Sequence, residues 1–291
     1  MDAVEHNTCP TTNDASRAGA AAGPAVIRLV AIDLDGTLLN DSKQITEQTL
    51  NALRCLPSRG VRVVIASARP PRSVRPFQEQ LGLDTLQINY NGALIWDPLQ
   101  RRPVYHVPMH PRLCRGMIDN ARDMFDEVLV SVECMDKWYT DRVDQNYTTE
   151  TGRLFKPDLV CPVDEFCNQP ITKLMLLGDP KLILRLEDLL TIRYGHIASV
   201  LRCEPELLQI MDSRVSKAIA LEKIADHYGI PMEEVMAIGD ARNDVEMLEA
   251  VGVAVAMDNA HPLVKEVADW VAPSNNDHGV HAALVRYGLC G

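Results

Sequence analysis

The sequence is poor in positive charge. Lysine and arginine together number 29 against 40 aspartates and glutamates, a net charge of -11. Such a field repels nucleic acid and anionic membranes, which argues against both as partners. It leaves room for a small anionic ligand, because a local cation inverts the field inside a site. Long apolar runs are also missing, so a membrane-spanning helix is not expected. The eight cysteines (Cys9, Cys55, Cys114, Cys134, Cys161, Cys167, Cys203 and Cys290) form no CxxC pair and have no histidines at zinc spacing. Reduced thiols of a cytoplasmic protein are the expectation. Cys161 and Cys167 could pair, but nothing in the sequence requires it.

The first 24 residues are rich in Ala, Thr, Asn and Gly and show no apolar period. They read as a disordered tail without catalytic role. Their acidic residues and the absence of an apolar segment do not fit a secretory or transit signal. The remainder has ordinary globular composition, the whole chain being 46% apolar and 24% charged. A length of 291 residues suits one large domain or two ordinary ones.

From Ala25 onward, strands alternate with helices. The run AVIRLVAIDLD reads as a strand, Thr46 as the cap of a helix carrying Leu50, Leu53 and Leu56, and GVRVVIASAR as a buried parallel strand. The downstream end repeats this pattern: a helix SKAIALEKIADHY ended by Gly229, a strand EVMAIGD, a helix DVEMLEAVG, a strand GVAVAM, and helices over HPLVKEVADW and GVHAALVRYG. The middle differs. ALIWDPLQRRPVYHV reads as a hairpin, VLVSVEC and KWYTD as antiparallel strands, ITKLMLLGD as a strand before the helix KLILRLEDLL, and SVLRCE and ELLQIMD as two more strands. The predicted architecture is a Rossmann-like α/β core with a parallel sheet, residues 25–88 and 212–291, interrupted by an α+β cap over residues 89–211.

Four sites carry chemistry. In DLDGT, Asp33 and Asp35 follow an apolar strand, where ligands of open α/β sheets bind. Carboxylates at this spacing can converge on one cation, and a carboxylate can attack phosphorus. Gly36 permits a sharp turn and close approach to a ligand. At the end of IASAR, Ser67 offers a hydroxyl to phosphate oxygens. Lys217 sits in the first turn of a helix, where ammonium and backbone N–H groups favour an anion. In IGDARND, Asp240 and Asp244 supply hard oxygen donors suited to Mg²⁺, and Asn243 either donates to a ligand or caps the next helix. Each of these has a bland reading as turn, cap or solvated surface. Their order, each at the end of a strand–helix unit, favours the catalytic one.

Together these residues resemble the haloacid dehalogenase superfamily, from about Val26 to the C-terminus. DLDGT resembles its first motif, Ser67 its second, Lys217 its third and GDARND its fourth. An insert between the second and third motifs, opening with NYNGALI, is similar to the type IIB (C2B) cap of Cof-type sugar-phosphatase-like hydrolases. The resemblance implies a Mg²⁺-dependent phosphatase acting on a small phosphorylated metabolite. Asp33 would be the nucleophile, and Asp35 the acid and then the base. Mg²⁺ would be held by Asp33, the Asp35 carbonyl and Asp240, with Asp244 in support. Gly36, Thr37, Ser67, Ala68, Lys217 and Asn243 would surround the phosphoryl group, and Asn91, Gly92 and Lys173 of the cap would meet the leaving group. Two positions depart from the family pattern, Ala68 and Ala218, where glycine is common. A phosphomannomutase-like phosphotransferase shares the same chemistry, and a non-catalytic binding protein could share the fold. Intact Asp33 argues against the latter. Oligomeric state has no signature in the sequence.

Overall fold

The computed structural model describes residues 26–147 and 150–291. The expected disordered tail lies outside the described residues. The strands among these residues, numbered in chain order, are β1 (Leu29–Asp33), β2 (Arg62–Ala66), β3 (Gln87–Asn89), β4 (Leu94–Asp97), β5 (Arg102–His106), β6 (Leu129–Cys134), β7 (Lys137–Thr140), β8 (Leu159–Val160), β9 (Lys173–Leu177), β10 (Ala198–Glu204), β11 (Leu207–Asp212), β12 (Val235–Gly239), β13 (Val253–Met257) and β14 (Trp270–Ala272).

The first sheet has the order β14-β13-β12-β1-β2-β3-β4-β5 and is parallel from β14 through β3. Every residue of β1, β12 and β13 is buried. Their unbroken Val/Ile/Ala character suits strands covered by helices on both faces. β1 lies between β2 from the first half of the chain and β12 from the second. The direction of winding reverses there, and the loops after these strands open a crevice at their carboxyl ends.

The second sheet, β10-β11-β9-β6-β7-β8, is antiparallel except at β7–β8. Helices Pro111–Met124 and Pro180–Tyr194 bury one of its faces around Val130, Val132, Leu174, Leu176, Leu208 and Ile210. The alternate residues form the other face, which looks toward the first sheet. Among the described residues no helix is long and apolar enough to cross a membrane, and Cys55, Cys114, Cys134, Cys161, Cys167, Cys203 and Cys290 are all free.

Three expectations need correction. The sequence pattern places the hairpin over 94–106 in the insert, with a boundary at Asn89. It pairs instead with the first sheet, β3 to β4 through Gln87–Trp96, Ile88–Ile95 and Asn89–Leu94. Leu94, Ile95 and Trp96 are buried in succession, as in a strand covered on both faces rather than a half-exposed hairpin. The second sheet is therefore entered only after His106, although it does end at Asp212. The helix read over HPLVKEVADW stops at Val267, and Trp270–Ala272 forms β14. Thr46 occupies the N-cap position, but its hydroxyl bonds Thr49 Oγ1 (3.0 Å) rather than a backbone N–H.

The chain passes between the sheets twice, at 107–110 and 213–216. The second crossing rests on the turn between β3 and β4. Gly92 there has φ +103°, and a Cβ would lie 2.1 Å from the Ser216 carbonyl oxygen. Both conformation and space demand glycine. Gly92→Ala should therefore cost about 2 kcal/mol or more, a fall of about 5 °C in Tm by calorimetry. An unchanged Tm would mean that this contact does not fix the crossing.

Candidate active site

The loops after β1, β2 and β12 bring the acidic motifs together. Asp33 ends β1, and Asp240 and Asp244 follow β12. One carboxylate oxygen from each of the three lies within 4.8 Å of the others. Lys217 enters from the N-terminus of helix Lys217–Tyr228, which Ser216 caps by accepting from the Ala218 N–H. Its Nζ donates to Asp33 Oδ1 (2.5 Å) and Asp244 Oδ1 (2.7 Å), and the residue is only 1% exposed. Burial alone would weaken its hold on the proton. Asp244 and Asp33 outweigh burial and keep the ammonium charged well above its ordinary range. Asp244 Oδ2 accepts from the Asp240 and Ala241 N–H groups at 3.1 and 3.0 Å, so its carboxylate is fixed at both ends.

Thr37 Oγ1 donates to Asp240 Oδ1 at 2.7 Å, steadying that carboxylate. Gly36 lies directly beneath it with φ +83°, and a Cβ would come 2.3 Å from Asp240 Oδ2. Burial first, and then the neighbouring Asp244, pushes Asp240 up to about 6. Asp33 is likewise raised by burial and by the two other carboxylates, against the pull of Lys217. Three carboxylates against one ammonium leave excess negative charge in a buried space. A hard divalent cation fits such a donor set.

The Asp35 carboxylate stands apart from this trio. Arg69 grips it with two hydrogen bonds, Nε to Oδ2 and Nη2 to Oδ1, both 2.6 Å. Lys43 Nζ adds a third at 2.7 Å. Burial works to raise this carboxyl, but the Arg69 and Lys43 contacts win and hold it below its ordinary value. Ser67 is buried and accepts from the Arg69 backbone N–H at 3.1 Å. The second-motif loop thus delivers both the hydroxyl and the guanidinium. Arg69 was visible in IASAR but drew no role, since nothing in the sequence ties it to Asp35. Lys43 lacks even a motif.

A cavity of about 430 Å³ lies between this cluster and the open face of the second sheet. Asp35, Ala68, Arg69, Asn91 and Asn243 line its floor, and Lys173, Met175 and Gln209 its roof. Asn243 Nδ2 donates to Asn91 Oδ1 at 2.8 Å. Of the three residues expected to meet the leaving group from the cap, only Lys173 belongs to the second sheet. Asn91 reaches the cavity from the turn between β3 and β4, both strands of the first sheet. Gly92 in the same turn is buried against Ser216 and does not line the cavity.

The class is therefore a capped α/β fold with a carboxylate–lysine site at its switch point. The comparisons make it more specific. A family model described as haloacid dehalogenase-like hydrolase matches residues 30–284. The chain belongs to this family, and it is a phosphatase. It is 30% identical over 269 residues to the 5-amino-6-(5-phospho-D-ribitylamino)uracil phosphatase YitU of Bacillus subtilis, covering 89% of this chain and 97% of that one. Its fold is similar to that of a haloacid dehalogenase-like hydrolase from Bacteroides thetaiotaomicron, with TM-score 0.80, 28% identity and 89% and 99% of the two chains covered. The subclass IIB sugar phosphatase BT4131 shares the fold at TM-score 0.72 and 20% identity, over 90% and 99% of the two chains.

The Arg69–Asp35 pair carries a pH signature. A carboxylate whose folded pKa is depressed contributes stability above its unfolded value, about 3.9, and loses it as pH falls through the lower folded value. Arg69→Met should therefore lower Tm at pH 7. The gap from wild type should narrow as pH is taken from 7 to 3. A gap that stays constant with pH would show that the ion pair contributes nothing.

Proposed function

We propose that the chain hydrolyses small phosphomonoesters through a phosphoryl group carried on Asp33, with Mg²⁺ as cofactor. The single observation behind this reading is Lys217 set between Asp33 and Asp244, with Asp35 held across the cavity mouth. Asp33, Asp240 and the Asp35 carbonyl would hold the ion, with Asp244 in support. When bound, Mg²⁺ supplies charge cancellation for the phosphoryl oxygens and the carboxylates.

The residues divide the work as phosphoryl transfer requires, through in-line positioning and neutralised charge. An oxygen of Asp33 forms a bond to phosphorus while the bond to the ester oxygen breaks. Asp35 gives its proton to the departing alkoxide. Water then enters, Asp35 takes its proton, and the new hydroxide breaks the Asp33–phosphorus link to release phosphate. Lys217, Ser67 and Asn243 hold the phosphoryl oxygens between these events.

The clamp on Asp35 gives this cycle a control point. With Arg69 and Lys43 both bound, the carboxylate favours its ionised form, which suits the base but not the acid. An arriving phosphate dianion competes for the same cations. That competition raises the proton affinity of Asp35 when leaving-group protonation is needed.

The test is phosphate release with Mg²⁺ from a panel of sugar phosphates, nucleotides, flavin mononucleotide and the phosphoribitylaminouracil that names the Bacillus subtilis relative. Asp33→Asn should reduce kcat by at least about 10³-fold. Chelation should abolish release, and Mg²⁺ added to metal-free protein should raise Tm. Well-folded protein that released no phosphate from any of these would sink the reading.

A further inference from the structure

Among the described residues, the cap presents one buried cation, Lys173, to the cavity. Lys173, on β9, is 6% exposed and lines the cavity opposite Asp35 and Asn91. Among the described residues its ammonium makes no hydrogen bond or ion pair. Its nearest aromatic contact is the Tyr90 ring, 5.2 Å from Nζ to the centroid.

Glu133 is directly opposite Lys173 on β6 and is the obvious candidate partner. It is already taken. Arg72 Nη2 donates to both its oxygens at 2.6 and 2.8 Å, and Tyr90 Oη lies 3.2 Å from Oε2. Arg72 also meets Asp136 through its backbone N–H (2.8 Å), and Arg75 reaches the other Asp136 oxygen at 3.1 Å. Among the described residues, Arg72 and Arg75 thus occupy the oxygens of Glu133 and Asp136, and Lys173 shares in neither carboxylate by a hydrogen bond or ion pair. Burial lowers the affinity of Lys173 for its proton, and Glu133 only partly offsets this. A desolvated ammonium of this kind is costly unless an oxygen ligand completes it.

The rest of the roof narrows the choice. Gln209 lies cross-strand from Met175, giving a side-chain amide beside a thioether surface, with Met211 and Leu207 flanking. Among the described residues Glu204 is the one carboxylate lining the cap side of the cavity, and Arg242 lines its core side. The roof can pack the carbon skeleton of a small leaving group while Lys173 takes its far end.

Building on the phosphatase reading, we propose that Lys173 recognises an anionic oxygen group on the leaving-group side of the substrate, so that the preferred esters carry a second acid function beyond the phosphate. The second group could be a carboxylate or another phosphate, since both offer the same charged oxygens.

Matched pairs test this. The ratio of kcat/KM for 6-phosphogluconate over glucose 6-phosphate, and for fructose 1,6-bisphosphate over fructose 6-phosphate, should exceed one in the wild type. Whichever pair shows the larger ratio identifies the source of the anion. In Lys173→Met that ratio should fall about 10- to 100-fold, the worth of a hydrogen bond to a charged group. Lys173→Arg, which keeps the charge, should restore part of it. A ratio untouched by Lys173→Met overturns the proposal, as does an equal loss on both members of a pair, which would mark Lys173 as structural. Calorimetric binding to Asp33→Asn provides a readout without turnover. Tighter binding of the doubly acidic member supports the proposal, and equal or weaker binding overturns it. Turnover of p-nitrophenyl phosphate reports on the phosphatase reading alone, so failure of that reading is seen separately.

Discussion

Everything at the crevice between the sheets depends on one buried ammonium. Lys217 holds Asp33 and Asp244 at 2.5 and 2.7 Å in a place where neither carboxylate has much water. At 4 Å two unit charges interact with about 4 kcal/mol at an effective dielectric of 20, while removing each ion from water costs several kcal/mol. One lysine therefore cannot neutralise three carboxylates. It can only hold two of them in place and leave the third, Asp240, to Thr37 and a cation. The helix beginning at Lys217 presents the positive end of its dipole at the same point. A lysine is ordinarily disfavoured there, and the paired carboxylates offset that cost. The loops after β1 and β12 are thereby locked to the helix that opens the last quarter of the chain.

A second buried charge group joins the core to the cap. Arg72, one helical turn beyond the second motif, is 10% exposed at its side chain and pairs with Glu133, which is 2% exposed. Tyr90 Oη donates to the Met135 carbonyl at 2.7 Å from the core side. Arg72 Nε and Nη1 have no hydrogen-bond partner among the described residues. The guanidinium is thus only partly satisfied and relies on Glu133. Arg69 and Arg72 lie on one short stretch, the first on Asp35 and the second on the cap. Position of the roof and posture of the Asp35 carboxylate share a single support.

Much of this was legible in the sequence because the core obeys local rules. The strands β1, β2, β12 and β13 are short apolar runs, and each is followed by a polar loop and a periodic helix. The motif residues sit where those runs end, so Asp33, Asp240, Asp244 and Lys217 could be named without coordinates. The errors arose where the decisive contacts are distant in sequence. β3 spans three residues, and its pairing with β4 cannot be read from either strand. The sequence reading omits helix Pro111–Met124 although its buried face, Cys114, Met117, Ile118 and Ala121, has regular helical spacing, because few of its other residues are apolar. The Arg69 and Lys43 grip on Asp35 spans 34 and 8 positions and leaves no spacing signature. Asn91 and Gly92 stand out in NYNGALI, but their strand neighbours, not their composition, assign them to the core.

The paired crossings at 107–110 and 213–216 bear on how such a molecule diversifies. Each is a single short stretch, so a roof can be exchanged as a cassette while the crevice below stays intact. The buried Arg72 sets the terms of that exchange. A replacement lacking a carboxylate at the place of Glu133 would strand a desolvated guanidinium at the seam. Lineages of this fold would then be free to remodel the roof's inner face, including the position of Lys173, much more readily than the corner where it is bolted down.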